Sequence, residues 1–171
     1  VPNEIKQEGT TGAGRVASGD GQSIILPSGL SITAIQLHID QTHGTYGASD
    51  VELQLWETER ENGDLIRSGA SSVASGSLLK EEIGQTPGWV TVLLGTPYSN
   101  TSPDPVELVF EFVVSSSDLD GVNYYSFSEL NAYTYGSQVY WPGGGQSYVD
   151  LSPYDFTFRA IVEVPSENEP I

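Results

Sequence analysis

Val106-Glu107-Leu108-Val109-Phe110-Glu111-Phe112-Val113-Val114 is the stretch that decides the fold. In an extended chain successive side chains point to opposite faces, so Leu108, Phe110, Phe112 and Val114 share one side while Glu107 and Glu111 share the other. A strand with one apolar face needs a second apolar face to cover it. The same alternation recurs along the chain. Ile35, Leu37 and Ile39 alternate with Gln36, His38 and Asp40, and Val51, Leu53 and Leu55 alternate with Glu52, Gln54 and Trp56. Val90, Val92 and Leu94 alternate with Trp89, Thr91 and Leu93, and Phe156, Phe158, Ala160, Val162 and Val164 oppose Thr157, Arg159 and Glu163.

Shorter strands are expected at Ser23 to Leu26, Leu65 to Arg67, Asn123 to Phe127 and Gln138 to Trp141, with a turn or two of helix around Ser77 to Ile83. Pro87-Gly88, Pro103-Asp104-Pro105 and Pro142-Gly143-Gly144-Gly145 mark connections. Roughly nine or ten strands at this spacing predict an all-β protein, a single antiparallel β-sandwich of jelly-roll-like form, since an immunoglobulin domain needs only ~100 residues. The expected organisation is an N-terminal extension and first strand region over 1–19, the sandwich over 20–164, and a C-terminal tail or linker stub over 165–171. The first ten residues are expected to fray.

A chain of 171 residues can bury a core without staples, and with no cysteine it has no disulfide, zinc–thiolate site or cysteine nucleophile. The absence of methionine, even at position 1, predicts a processed form or a domain cut from a longer chain, so it is expected to be tethered to other domains. No apolar run approaches the ~20 residues of a membrane-spanning helix. Twenty-three acidic residues against six basic ones give a net charge of −17, which repels nucleic-acid phosphates and anionic membrane surfaces. Strongly anionic polysaccharides are disfavoured too, unless a local basic spot or bridging cations intervene. Many Ser, Thr and Gly residues and spread charge predict a solvated extracellular surface.

Between Asn123 and Tyr154 lie seven of the nine tyrosines plus Trp141, with Glu129 and Asp150 as the charged residues. Flat rings among Asn123, Asn131, Thr134, Gln138 and Gln146 suit sugars, which present an apolar C–H face and a rim of hydroxyls. The leading expectation is a non-catalytic carbohydrate-binding module that binds a neutral or weakly charged polysaccharide outside the cell, in which Tyr125, Tyr133, Tyr135 and Trp141 stack on sugar rings and Asn131 and Gln138 read hydroxyls. The alternative is a structural or adhesive surface domain whose aromatics pack internally, and a third is a small polysaccharide lyase or hydrolase. An exposed aromatic row points to the first and buried aromatics to the second. Two opposed carboxylates in a cleft, or His38 beside a tyrosine and an arginine, point to the third.

Other constellations are thinner. His38 and His43 lack the further ligands a zinc site needs. Glu52 and Glu129 are the carboxylates to examine for a glycosidase pair. Asp118-Leu119-Asp120-Gly121 reads as a surface turn. Gly143-Gly144-Gly145 lacks the lysine and helix of a phosphate cradle. Trp56 and Trp89 fall on the polar parity of their strands, with Gln36, His38, Gln54 and Thr91. They are expected to sit under a covering loop, or else to line one open sheet face.

In order, Gly21-Gln22-Ser23-Ile24, Ile35 to Ile39, Val51 to Trp56, Trp89 to Val92, Leu108 to Phe112, Tyr135 to Tyr140 and Asp155 to Arg159 resemble bacterial extracellular β-sandwich modules found beside polysaccharide-degrading enzymes. The resemblance covers about residues 20 to 164. It implies a galactose-binding-like jelly roll with an accessory role, secreted or at a bacterial cell surface. The stiff Pro103-Asp104-Pro105 loop, and Tyr148 where such modules carry tryptophan, depart from the pattern. The resemblance also implies a structural calcium where an early loop meets the last strand, here Asp20 of Ser18-Gly19-Asp20-Gly21 with Asp155. Separately, Gln36-Leu37-His38 resembles the Gln-hydrophobic-His motif of alginate-lyase-like jelly rolls, in which arginines and tyrosines accompany the histidine; Arg159 is the one arginine late in this chain.

Overall fold

In the computed structural model, residues 4–41, 51–78, 80–113, 122–127, 133, 135–144, 147–152 and 154–165 are described. Among them run fourteen strands: β1 (Ile5–Gln7), β2 (Gly12–Arg15), β3 (Asp20–Leu26), β4 (Ser31–Gln41), β5 (Val51–Glu61), β6 (Asp64–Arg67), β7 (Ala74–Leu78), β8 (Gly88–Ser99), β9 (Val106–Val113), β10 (Val122–Phe127), β11 (Gln138–Tyr140), β12 (Val149–Asp150), β13 (Asp155–Phe156) and β14 (Phe158–Glu163). The first sheet is ordered β1-β14-β4-β10-β13, with β2 paired to β10 and β8 to β4. The second is ordered β12-β11-β3-β9-β5-β6, with β7 paired to β5. The chain passes from one sheet to the other at eight of its thirteen connections, and neighbouring strands are antiparallel, which makes a jelly-roll-like β-sandwich.

The period-two pattern dictates what lies between the sheets. Leu108, Phe110 and Phe112 of β9, Leu53 and Leu55 of β5, Ile35, Leu37 and Ile39 of β4, and Phe156 and Phe158 are all buried in one cluster. Phe110 and Phe112 of the second sheet meet Phe156 and Phe158 of the first with ring centroids 5.5 to 6.2 Å apart. Such tilted and edge-on contacts add to simple area burial.

Three expectations need correction. The expected helical turn is confined to a short 3-10 turn, Lys80–Glu82, while Ser77 and Leu78 at its expected start belong to strand β7. Its apolar ends, Ala74 and Leu78, are buried against the partner sheet while β7 pairs with β5, and that pairing overrides local propensity. The N-terminal segment does not fray from Ile5 onward. Ile5–Gln7 pairs with β14, Ile5 joins the core, and the buried Gln7 amide donates to the Phe156 carbonyl at 3.1 Å. The last strand is divided at Thr157, whose N–H bonds the Tyr125 carbonyl at 2.9 Å, so β13 pairs with β10 and β14 with β4.

The sheets also approach at one corner through bare backbone. A Cβ built on Gly76 of β7 would stand 2.2 Å from the Leu93 carbonyl oxygen of β8. Gly76→Ala therefore forces backbone to move, and we expect it to lower stability by about 1–3 kcal/mol, comparable to overpacking a core. A urea denaturation curve with an unchanged midpoint would show that this approach is not held in solution.

Candidate functional site

The outer faces of the two sheets meet different fates. On the second sheet, Val109 and Glu111 of β9 are buried a second time, beneath Leu65, Val139, Tyr148 and the half-buried Trp141. The Arg67 guanidinium lies between two indoles, 3.6 Å from the Trp56 ring centre and 3.9 Å from that of Trp141. It reaches Glu111 at 2.5 Å and donates to the Tyr148 hydroxyl at 3.1 Å, and Tyr148 in turn donates to Glu111 at 2.7 Å. A buried carboxylate is tolerable only when paired and hydrogen-bonded in this way. Burial pushes the Tyr148 phenol up, so it stays a neutral donor.

The outer face of the first sheet has no such second layer among the described residues. Strand register arranges its side chains in rows. One row is Thr91, Gln36, Arg159 and Lys6 from β8, β4, β14 and β1; another is Leu93, Ala34 and Ile161. Beside them, Trp89 of β8 stands opposite His38 of β4, and Tyr125 of β10 follows on the far side. The His38 ring is 5.2 Å from both Trp89 and Tyr125 and nearly perpendicular to each. The Arg159 guanidinium stacks 3.7 Å over Trp89. Trp89, His38, Gln36 and Tyr125 are half-buried, while Thr91 and Leu93 are exposed.

Hydrogen bonds set the chemistry of this face. Tyr125 donates to the buried Asp40 carboxylate at 2.8 Å, and this bond raises the phenol's pKa. Gln36 donates to Thr91 at 3.1 Å. Desolvation, with the nearby Arg159 charge as the second cause, holds the His38 pKa below its ordinary value against the opposing pull of Asp40, so the imidazole is neutral at pH 7. Its Nδ1 is buried with no hydrogen-bond partner among the described residues. The arrangement can stack on an apolar face and offer neutral acceptors and donors at its rim.

The residues predicted from sequence do not converge. Tyr125 lies on the first sheet's open face, whereas Trp141 caps Arg67 on the opposite side of the sandwich. Tyr133 and Gln138 are each 6% exposed, too buried to meet a polymer in solution. Tyr133 packs edge-on against Phe158 and Tyr135, and its hydroxyl accepts the Ile25 N–H at 3.1 Å. The Gln138 amide nitrogen donates to Tyr124 at 3.1 Å. Tyr135 is exposed, and Asn131 lies outside the described residues. Trp56 and Trp89, grouped by parity, belong to different sheets: the first is under a covering layer and the second is half-open. Of the other candidates, Glu52 is half-buried on β5, and Glu129, His43 and the Asp118 to Gly121 loop lie outside the described residues.

Asp20 and Asp155 each accept hydrogen bonds from within the protein. Asp155 accepts from the Gln22 side chain at 2.9 Å and the Tyr133 N–H at 3.1 Å, one donor on each oxygen, and so ties the start of β13 to β3 and to the chain at Tyr133. Asp20 accepts from the Ala17 N–H at 3.0 Å, closing a turn. Among the described residues no three His, Cys, Asp or Glu side chains converge, whereas calcium takes six to eight oxygens. Gln138 shares a strand face with Asp20 through the β3–β11 register, and its Oε1 is buried and unpartnered. Burial pushes the Asp20 carboxyl up to about 6.

No protein-family model matches the chain, and no curated protein matches it. Among solved structures, it is similar to that of the cysteine protease and lectin-like domains of Cwp84, a surface layer associated protein of Clostridium difficile. The TM-score is 0.52 at 9% sequence identity, over 86% of this chain and 33% of that one. The chain thus spans about a third of that chain's length, and at this identity the likeness concerns the fold.

The Asp20 carboxyl gives a signed expectation. A carboxyl whose folded pKa is raised from 3.8 to about 6 favours the native state fully only below its unfolded value, and that contribution is lost as pH rises through about 6. In chelator, Asp20→Asn is expected to raise the melting temperature at pH 8 and to match the parent below pH 4. Discounted for partial solvent exposure, the gain is about 1 kcal/mol, or roughly 2–4 °C. A gap independent of pH between 4 and 8 would rule out this titration.

Proposed function

We propose that this domain is a non-catalytic module that binds an extracellular polysaccharide along the outer face of the first sheet. The observation that carries the reading is the half-open row of Trp89, His38 and Tyr125, flanked by Gln36 and Thr91. Rings held by packing and a locked hydroxyl present apolar area with little conformational entropy left to lose. The lectin-like domain named for the Cwp84 structure supports such a role by analogy of fold. Secretion to a bacterial surface and tethering to further domains belong to the same proposal.

One observation favours a second reading, polysaccharide lyase activity. His38 does stand beside Tyr125 and near Arg159, as a base, an acid and a charge-neutralising group would. However, Tyr125 already donates to Asp40 and Arg159 is already engaged by Glu8. The two readings part on product chemistry: the isolated domain should release no unsaturated sugars or new reducing ends from a polymer it binds.

Calcium enters the proposal at Asp20, a desolvated carboxyl that shares a strand face with Gln138, whose Oε1 is buried and unpartnered. Binding to the native state alone would stabilise it by mass action, so chelation is expected to lower the melting temperature and elemental analysis to find the metal. An unchanged melting curve with no metal found would remove the site.

Trp89→Ala should weaken polysaccharide binding by at least ~2 kcal/mol, or roughly thirtyfold, as loss of a central aromatic contact does. Trp141→Ala should leave affinity within about twofold while lowering the denaturation midpoint, because it uncovers the Arg67–Glu111 pair. Titration and a denaturation curve on both variants decide the matter. Unchanged affinity in a folded Trp89→Ala would move the site off this face.

A further inference from the structure

We propose that Arg159 is the anion-reading position of this face, that its polysaccharide carries carboxylates, and that Glu8 stands in for a sugar carboxylate in the free protein. The inference rests on the sheet-face reading above and adds the ligand's chemical class.

The protein carries a net charge of −17, yet this face sets two cations side by side, Lys6 and Arg159, each held by a partly exposed glutamate. Of the cations described, Arg60 is taken by Glu107 through two hydrogen bonds and Arg67 by Glu111 under the opposite layer. Arg159 and Lys6 are instead cross-strand partners on the open face. They border a cleft of about 390 Å³ whose lining includes Glu4, Lys6, Glu8 and Arg159. Arg159 is held over Trp89, its guanidinium carbon 3.7 Å from the ring centre, and by Glu8, so its planar fork is oriented before any ligand arrives.

The present occupant of that fork is Glu8, which follows β1. Arg159 Nε and Nη2 both donate to Glu8 Oε2, at 2.9 and 2.5 Å. Lys6 reaches the other Glu8 oxygen at 3.0 Å and Glu4 at 3.1 Å. The Glu8 side chain is 39% exposed and that of Arg159 34%. Exposed ion pairs contribute little net stability because water screens them and two side chains must be ordered. A carboxylate on a polymer that also stacks beside Trp89 would gain the same guanidinium contact plus the ring contact, and so would displace Glu8. Glu8 then acts as a tethered competitor that lowers apparent affinity for the acidic polymer.

The probes are polygalacturonate and its fully methyl-esterified form, the same backbone with its carboxylates masked. Binding is measured by calorimetry at 0.15 M salt, where distant acidic residues are screened beyond about 8 Å. Glu8→Gln, checked for an unchanged denaturation midpoint, is expected to bind polygalacturonate about tenfold more tightly and the ester no differently. Arg159→Lys keeps the charge but loses the planar fork, and is expected to lose at least tenfold on polygalacturonate. Equal affinity of parent and Glu8→Gln, or of parent and Arg159→Lys, for the acid polymer overturns the inference. Binding of the ester but not the acid, sensitive to Trp89→Ala, would overturn it while leaving the sheet-face function standing. Binding of neither polymer, nor of any other across a polysaccharide screen, would remove both.

Discussion

Four phenylalanines hold the two sheets in register, and the positions of the other layers follow from them. Phe110 and Phe112 come from the middle of β9, Phe156 and Phe158 from the two strands either side of Thr157. With these rings interlocked, β9 is fixed at the centre of one sheet and β14 against β4 in the other. The break at Thr157 follows from the same constraint. Both Phe156 and Phe158 face inward, yet β13 must pair with β10 while β14 pairs with β4, so the chain steps across at the residue between them.

Which outer face remains open is decided by a buried charge. Glu111 sits on the face of β9 turned away from the phenylalanines, and a carboxylate there must be paired or solvated. The chain pairs it. Arg67 from β6 supplies the charge, Trp56 and Trp141 sandwich the guanidinium, and Tyr148 bonds both ends of the pair. Covering this pair consumes Trp141, expected from the sequence to stack on sugar, and Tyr148 from the same tyrosine-rich stretch. The aromatic surface left over is on the other sheet, where Trp89, His38 and Tyr125 lie side by side.

Electrostatics then gives that remaining face its character. A strongly acidic protein keeps Arg159 and Lys6 together on one face, balanced by Glu4 and Glu8 from the first strand region. The neutral His38 between two rings adds no charge of its own at pH 7, since desolvation and Arg159 both oppose its protonation. The result is a face that can stack on a ring while its one oriented guanidinium is held by a displaceable carboxylate.

Much of this is legible in the sequence because strand periodicity is local. Alternation along β4, β5, β8 and β9 identifies the buried residues and the sandwich, and it places Trp56, Trp89, Gln36 and His38 on the sides away from the core. Alternation says nothing about what lies beyond those sides. Trp56 and Trp89 have equivalent parity and opposite surroundings, because Trp56 is covered by Arg67 of the neighbouring hairpin strand β6, itself capped by Trp141 and Tyr148 from far along the chain. Tyr133 and Gln138 look like surface residues in a tyrosine-rich run, yet Phe158 and Tyr124 draw them inward. Likewise β1 joins the first sheet only because β14 offers it an edge. The sequence by itself determined the two-layer all-β architecture and its core, since each strand's burial pattern is written in its own residues. Only the tertiary structure decided that Trp89, His38, Tyr125 and Arg159 share a face, because strand order is set by long-range pairing that no local pattern encodes.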